Sequence, residues 1–187
     1  LSNIGQTTDA PLALEIEKAE GIYLYDIYGK NYIDLVSGVS VSNVGHRHPR
    51  VIEAVKKQAD RHLHLMVYGE LVQQPQTDFA RLLFQQLAPR FDNIYFVNSG
   101  SEANEGALKL AKKYTGRTEI IACNQAYHGS THGVLSLMGD EIFRNPFRPL
   151  LPDIRYIQFN NPEHLEFITE RTACVMVEPI QAEAGII

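Results

Sequence analysis

The spacing of hydrophobic residues changes several times along this chain, and each change marks an expected element. Residues 1–13 are polar, include Pro11 and read as an arm. Leu14 to Leu35 is strand-like: Ala19-Glu20-Gly21 breaks one strand, Ile22-Tyr23-Leu24-Tyr25 forms the next, and Tyr28-Gly29-Lys30-Asn31 turns into Tyr32-Ile33-Asp34-Leu35. This pattern predicts a small antiparallel unit. Ser37 to His46 is rich in small residues and is expected to cross between elements rather than pack as one. Pro49 suits the first turn of a helix with Val51, Ile52, Val55 and Ala59 as its apolar stripe. Lys56, Lys57 and Arg61 fall toward its C-terminus, where the helix dipole favours cations. A second helix is expected from about Gln76 to Leu87, with Phe79, Leu82, Leu83 and Leu87 inward and Pro89 ending it.

The second half alternates between the two periods. Ile94-Tyr95-Phe96-Val97 predicts a buried strand, and Gly106 to Tyr114 carries apolar residues at helical spacing, with Gly116 as C-cap. Glu119–Cys123, Arg155–Phe159 and Ala173–Val177 read as strands; Thr131–Met138 and Pro162–Thr169 read as helices. Strands alternating with helices imply an α/β fold with a mainly parallel sheet. Ligands in such sheets bind beyond the carboxyl ends of strands. That rule places three clusters on one rim: Ser99-Gly100-Ser101, Tyr127-His128-Gly129 and Glu178-Pro179-Ile180-Gln181.

Composition narrows the class. The chain has 187 residues, of which 44% are apolar and 21% charged, the balance of a globular protein with a usable core. Its net charge of −5, with no basic cluster longer than a pair, argues against a nucleic-acid surface. No apolar run approaches the roughly 18 residues of a membrane span, and no secretory signal is visible at the N-terminus. Cys123 and Cys174 each sit in an apolar strand-like run, so buried thiols in a reducing cytoplasm are expected rather than a disulfide. The first residue is Leu1 rather than Met, and the last, Ile187, ends an apolar stretch with no closing helix. The first feature leads us to expect processing, and the second an unfinished sheet.

At the centre lies Asn98-Ser99-Gly100-Ser101-Glu102-Ala103-Asn104-Glu105, where a strand pattern gives way to a helix. Ser99 is placed to be the N-cap, with Glu102 completing a Ser-x-x-Glu capping box. The free N–H groups of the first turn and the positive end of the dipole can hold a phosphate or carboxylate. A well-capped helix with no ligand explains the same residues. Tyr127 and His128 suit the face of a flat charged ring, with Gly129 permitting close approach, or Tyr127 is a packed aromatic at a strand end. Glu178 is either an acceptor for a ligand or an ordinary ion-pair partner. The pairs His46/His48 and His62/His64 have no cysteine near them, and no His-Glu-x-x-His occurs, so no metal site is expected. Gly-x-Gly-x-x-Gly, P-loop and Gly-x-Ser-x-Gly patterns are absent, which leaves dinucleotide, nucleoside-triphosphate and hydrolase sites without support.

Five segments, in order, resemble the class III aminotransferases, the pyridoxal-phosphate enzymes that include acetylornithine, ornithine and 4-aminobutyrate aminotransferases. They are Asp26 to Leu35, Gly45-His46-Arg47-His48-Pro49, Phe96 to Ala111, Tyr127 to Thr131 and Val177 to Gly185. The resemblance implies a PLP-dependent transferase fold of type I, incomplete here. Residues 1–45 would be the arm and small antiparallel unit, and 46–187 the first part of the cofactor domain. It implies pyridoxal 5′-phosphate as cofactor, bound by Ser99, Gly100, Ser101, Tyr127, His128 and Glu178. Gly100 and Ser101 would take the phosphate, Tyr127 would stack on the ring with His128 beside it, and Glu178 would lie near the ring. Glu183 matches a glutamate that in several members pairs with a substrate-binding arginine. The substrates implied are a small amino donor and a 2-oxo acid, with 2-oxoglutarate expected, in a cytoplasmic homodimer without nucleic-acid or membrane partners. Ser130 stands where the acetylornithine and ornithine enzymes have a substrate-binding arginine, which leaves the donor open. The family's Schiff-base lysine and pyridine-binding aspartate fall beyond the point matching Ile187, so no catalytic residue is expected in this chain, which should be inactive alone. The competing expectation is a non-catalytic α/β module that binds a phosphorylated ligand at Ser99–Ser101.

Overall fold

A computed structural model describes residues 3–66, 69–87 and 91–187. The chain forms two compact units, Leu1–Phe79 and Ala80–Ile187. The division expected at residue 45 concerns the domains of a longer protein. Compactness within this chain follows a different tie: Gly21 and His46 exchange backbone hydrogen bonds of 3.1 and 2.7 Å, which joins the segment after Ser37 to the strands before it.

The first unit begins with an antiparallel meander, β1 (Ile16–Glu20), β2 (Tyr23–Asp26) and β3 (Asn31–Ile33), in that order across the sheet. Asp26 closes the β2–β3 turn. Its carboxylate accepts the N–H groups of Tyr28 and Lys30 at 2.9 Å each and the Tyr32 hydroxyl at 3.0 Å. Burial raises the Asp26 pKa, but the bonds from Lys30, Tyr32 and Tyr28 outweigh it and hold the carboxyl below its usual range. The Ser37–Ser40 segment is a single left-handed turn, with φ between 53° and 63° at all four residues, two of them serines and one the β-branched Val39. Asp34 braces it by accepting from Ser37 N at 2.8 Å and from the His46 ring at 2.7 Å.

Helix α1 (Pro49–Ala59) has Pro at its start and Lys56 and Lys57 in its last turn. Its stripe of Val51, Ile52 and Val55 is uncovered, and Asp26 is the one buried side chain among the described residues of this unit. Helix α2 (Gln74–Phe84) starts two residues earlier than its apolar spacing suggests, because Pro75 is tolerated in a first turn. Pro89, expected to end it, lies outside the described residues.

The second unit carries the parallel sheet. Helix α3 (Gly100–Thr115) runs from its Ser99 cap to Gly116, which adopts φ +69° and closes the helix in the left-handed conformation. Strands β4 (Glu119–Cys123), β5 (Ile154–Ile157) and β6 (Thr172–Met176) lie in the order β5-β4-β6, all parallel. Every residue of central β4 is buried, and its alternation divides the core. Ile120 and Ala122 pack with Leu108 of α3 and with Val134 and Leu137 on one face; Ile121 and Cys123 pack with Ala126 and Ile157 on the other. Cys174 of β6 is half-buried, and both thiols are free and pushed up in pKa by burial.

Three local expectations are corrected. Residues 94–97 carry no strand assignment, and Tyr95 is 86% exposed. A β-branched and aromatic pattern supplies propensity, but tertiary context decides whether a strand forms. Pro162–Phe167 is a 3₁₀ helix rather than an α-helix, and the helix expected at 131–138 shortens to α4 (His132–Leu135) followed by turns. Helix α5 (Glu141–Arg144) follows. No helix among the described residues is long and apolar enough to cross a membrane.

Candidate cofactor site

The head of α3 is built as its sequence suggests. Ser99 Oγ accepts from Glu102 N at 3.2 Å, and the Glu102 carboxylate accepts from Asn98 N at 2.6 Å, one residue before the cap. Ala103 N bonds to Ser99 O at 3.0 Å. The N–H groups of Gly100 and Ser101 precede the first residues that have a helical acceptor. A side chain added at Gly100 would meet only open space, so the backbone there is accessible to a ligand.

The loop after β4 docks on this helix head. Ser101 Oγ accepts from Ser130 N at 3.3 Å, and Asn104 Nδ2 donates to the His128 carbonyl at 2.8 Å. The Glu105 carboxylate accepts from the Thr131 hydroxyl at 2.7 Å and from Val134 N at 3.1 Å. Gly129 makes the approach possible: it holds φ +121°, and a Cβ on it would lie 2.2 Å from Ser101 Oγ. The exit of β6 docks on the same loop. The Glu178 carboxylate accepts from Tyr127 N at 2.9 Å, and the fully buried Gln181 donates from Nε2 to Asn124 O at 2.8 Å. All three clusters expected on one rim are therefore joined by hydrogen bonds.

The side chains of the rim differ in exposure. Tyr127 is 43% exposed, while His128 is buried and its Nε2 has no partner among the described residues. Burial lowers the His128 pKa, and the nearby Glu178 charge partly opposes that, so the ring is neutral at neutral pH. Tyr127 and Glu183 line one cavity of about 410 Å³ with Gln125, Met138, Asp140 and Phe143. A larger cavity, about 770 Å³, runs along α1 in the first unit and is lined by none of these residues.

Across residues 4–187 the chain matches the family model described as aminotransferase class-III. The chain belongs to the class-III aminotransferases. It is 42% identical, over 93% of its length, to the LysW-aminoadipate semialdehyde/glutamate semialdehyde transaminase of Sulfurisphaera tokodaii, of which it covers 44%. Its fold matches adenosylmethionine-8-amino-7-oxononanoate aminotransferase from Methanocaldococcus jannaschii with a TM-score of 0.90 and 31% identity, covering all of this chain and 47% of that one. It also matches taurine:2-oxoglutarate aminotransferase from Bifidobacterium kashiwanohense, solved in complex with PLP and glutamate, with a TM-score of 0.85 and 27% identity over 96% of this chain and 46% of that one. The chain thus spans about half the length of the relatives it matches and corresponds to the N-terminal portion of this family's fold.

Residue reasoning missed the loop contacts of Asn104 and Glu105. The available signal was their spacing: Ser101, Asn104 and Glu105 stand at i, i+3 and i+4, one face of a helix.

Proposed function

We propose that this aminotransferase chain forms the phosphate- and ring-binding side of a pyridoxal-phosphate site in a longer enzyme. That enzyme transfers an amino group from an amino acid or ω-amine to a 2-oxo acid. The observation that carries the reading is the docking of loop 127–134 on the head of α3, which brings an anion-binding helix terminus, an accessible aromatic ring and a buried imidazole together.

These residues suit a flat phosphorylated ring. The Gly100 and Ser101 N–H groups can take the phosphate, and Ser101 Oγ, already an acceptor for Ser130 N, retains its proton to donate. Ser99 Oγ is engaged in the cap, so it would contribute through the helix start rather than as a direct phosphate ligand. Tyr127 would cover one ring face. The unpartnered His128 Nε2 would gain the polar neighbour that a buried nitrogen requires. Glu178 holds the loop through Tyr127 N and would supply negative charge near the ring, and Glu183, which lines a cavity with Tyr127, would meet the substrate.

Bound PLP would supply an electron sink for amino transfer. The seven lysines of this chain, Lys18, Lys30, Lys56, Lys57, Lys109, Lys112 and Lys113, carry no part in the reading. The Schiff-base lysine and the aspartate at the pyridine nitrogen belong to the portion after Ile187. 2-Oxoglutarate is the proposed acceptor, supported by the taurine enzyme that shares this fold. A cytoplasmic homodimer, with the division at residue 45 as its domain boundary, completes the proposal.

The test is glutamate formation from 2-oxoglutarate with a panel of amino acids and ω-amines. The longer protein should turn over with at least one donor, and the 187-residue chain with none. A longer protein that binds a phosphorylated ligand without transferring nitrogen would favour the non-catalytic module.

A further inference from the structure

An exposed helix terminus contributes less than tenfold in affinity to holding an anion. The head of α3 therefore needs help from ring contacts, and those depend on where loop 127–134 sits. We propose that Glu105, seconded by Asn104, is a positioning residue that locks this loop to the helix and so fixes Tyr127 and His128 at a set distance from the phosphate end; this rests on the pyridoxal-phosphate reading above.

Ser101, Asn104 and Glu105 share one helix face and grip the loop at three successive points. They hold Ser130 N, the His128 carbonyl, and the Thr131 hydroxyl with Val134 N. Glu105 holds two donors at once, at 2.7 and 3.1 Å, through a single oxygen, Oε1. One of those donors is an N–H in α4, a helix of four residues whose N-cap, Thr131, makes no side-chain capping bond to the helix. The loop is shaped for the carboxylate: a Cβ on Gly133 would lie 2.2 Å from Glu105 Oε2. Gly129 does the same for Ser101. The two glycines thus sit where the two grips need bare backbone. The role asks for one acceptor oxygen and no charge, because both partners are neutral donors.

The experiment uses the longer protein, prepared without cofactor and titrated with PLP, with three readouts: the dissociation constant, the circular dichroism of the bound cofactor in its visible band, and the melting temperature of the cofactor-free protein. Glu105→Ala and Gly133→Ala should each weaken PLP about tenfold, the scale of losing a charge-assisted bond, and reduce the cofactor dichroism. Glu105→Gln, whose amide oxygen can accept both donors, should stay within about threefold of the parent. If Glu105→Ala does not fold, Thr131→Val decides, with a severalfold weaker PLP constant and an unchanged melting temperature as the supporting result. Parent-like PLP affinity and dichroism in Glu105→Ala, or in Thr131→Val when it decides, would overturn the proposal, as would Glu105→Gln behaving like Glu105→Ala. A parent protein that binds no PLP would instead defeat the cofactor reading itself.

Discussion

The Glu178 carboxylate accepts the Tyr127 backbone N–H at 2.9 Å, across 51 residues of sequence. One residue follows the fully buried strand β4, the other follows its parallel neighbour β6. The bond therefore ties together the carboxyl ends of two adjacent strands, where an α/β sheet places its ligands. Removing it in Glu178→Ala should free the Tyr127 loop end and weaken PLP binding by about tenfold, from the loss of roughly 1.5 kcal/mol for a bond to a charged group. Glu178→Gln, which keeps an acceptor, should lose less. Cofactor titration of the two variants in the longer protein checks both, and equal losses would assign the effect to charge alone.

Gly129 is a position where side-chain volume and backbone conformation forbid the same change. A Cβ would sit 2.2 Å from Ser101 Oγ and 3.0 Å from Ser101 Cβ, and φ is +121°. Gly129→Ala should destabilise by about 1–3 kcal/mol and separate the loop from the helix head. Thermal melts with and without PLP should show a lower melting temperature and a smaller stabilisation by cofactor. A variant that melts and binds like the parent would refute the docking.

His128 gives a pH dependence with a definite sign. Burial lowers its folded pKa below the usual value of about 6.5, so the unfolded chain takes up the proton first as pH falls. Stability from this group is complete above the unfolded pKa and is lost progressively as pH drops through it toward the lower folded value. Melting temperatures measured from about pH 8 to pH 5 should therefore fall more steeply in the parent than in His128→Gln. Parallel curves would show that the ring titrates as it does in the unfolded chain.

Much of this architecture was legible along the chain, and the exceptions share a cause. The Ser99 cap, the Gly116 stop and the buried Glu119–Cys123 strand follow from local chemistry, which neighbouring residues determine by themselves. Residues 94–97 have strand composition but adopt no strand, because β propensity is set by context rather than by the local pattern. Pro162–Phe167 settled into the tighter 3₁₀ form because Asn161 and Pro162 define a start while no apolar face of helical length follows. At the site, Gly100, Ser101, Tyr127 and Glu178 could be singled out because each stands at an element boundary. Asn104 and Glu105 looked like ordinary polar helix residues, since their partners lie 24 to 29 positions away.

In the proposed enzyme, this chain would hold the phosphate and ring of the cofactor and the lysine that bonds to it would lie after Ile187. Borohydride reduction of the PLP-loaded longer protein, followed by peptide mass mapping, tests this directly. The account predicts one phosphopyridoxyl-modified lysine, in a peptide beyond residue 187, and no modification at the seven lysines of this chain. A stoichiometric mark on any of those seven would contradict it.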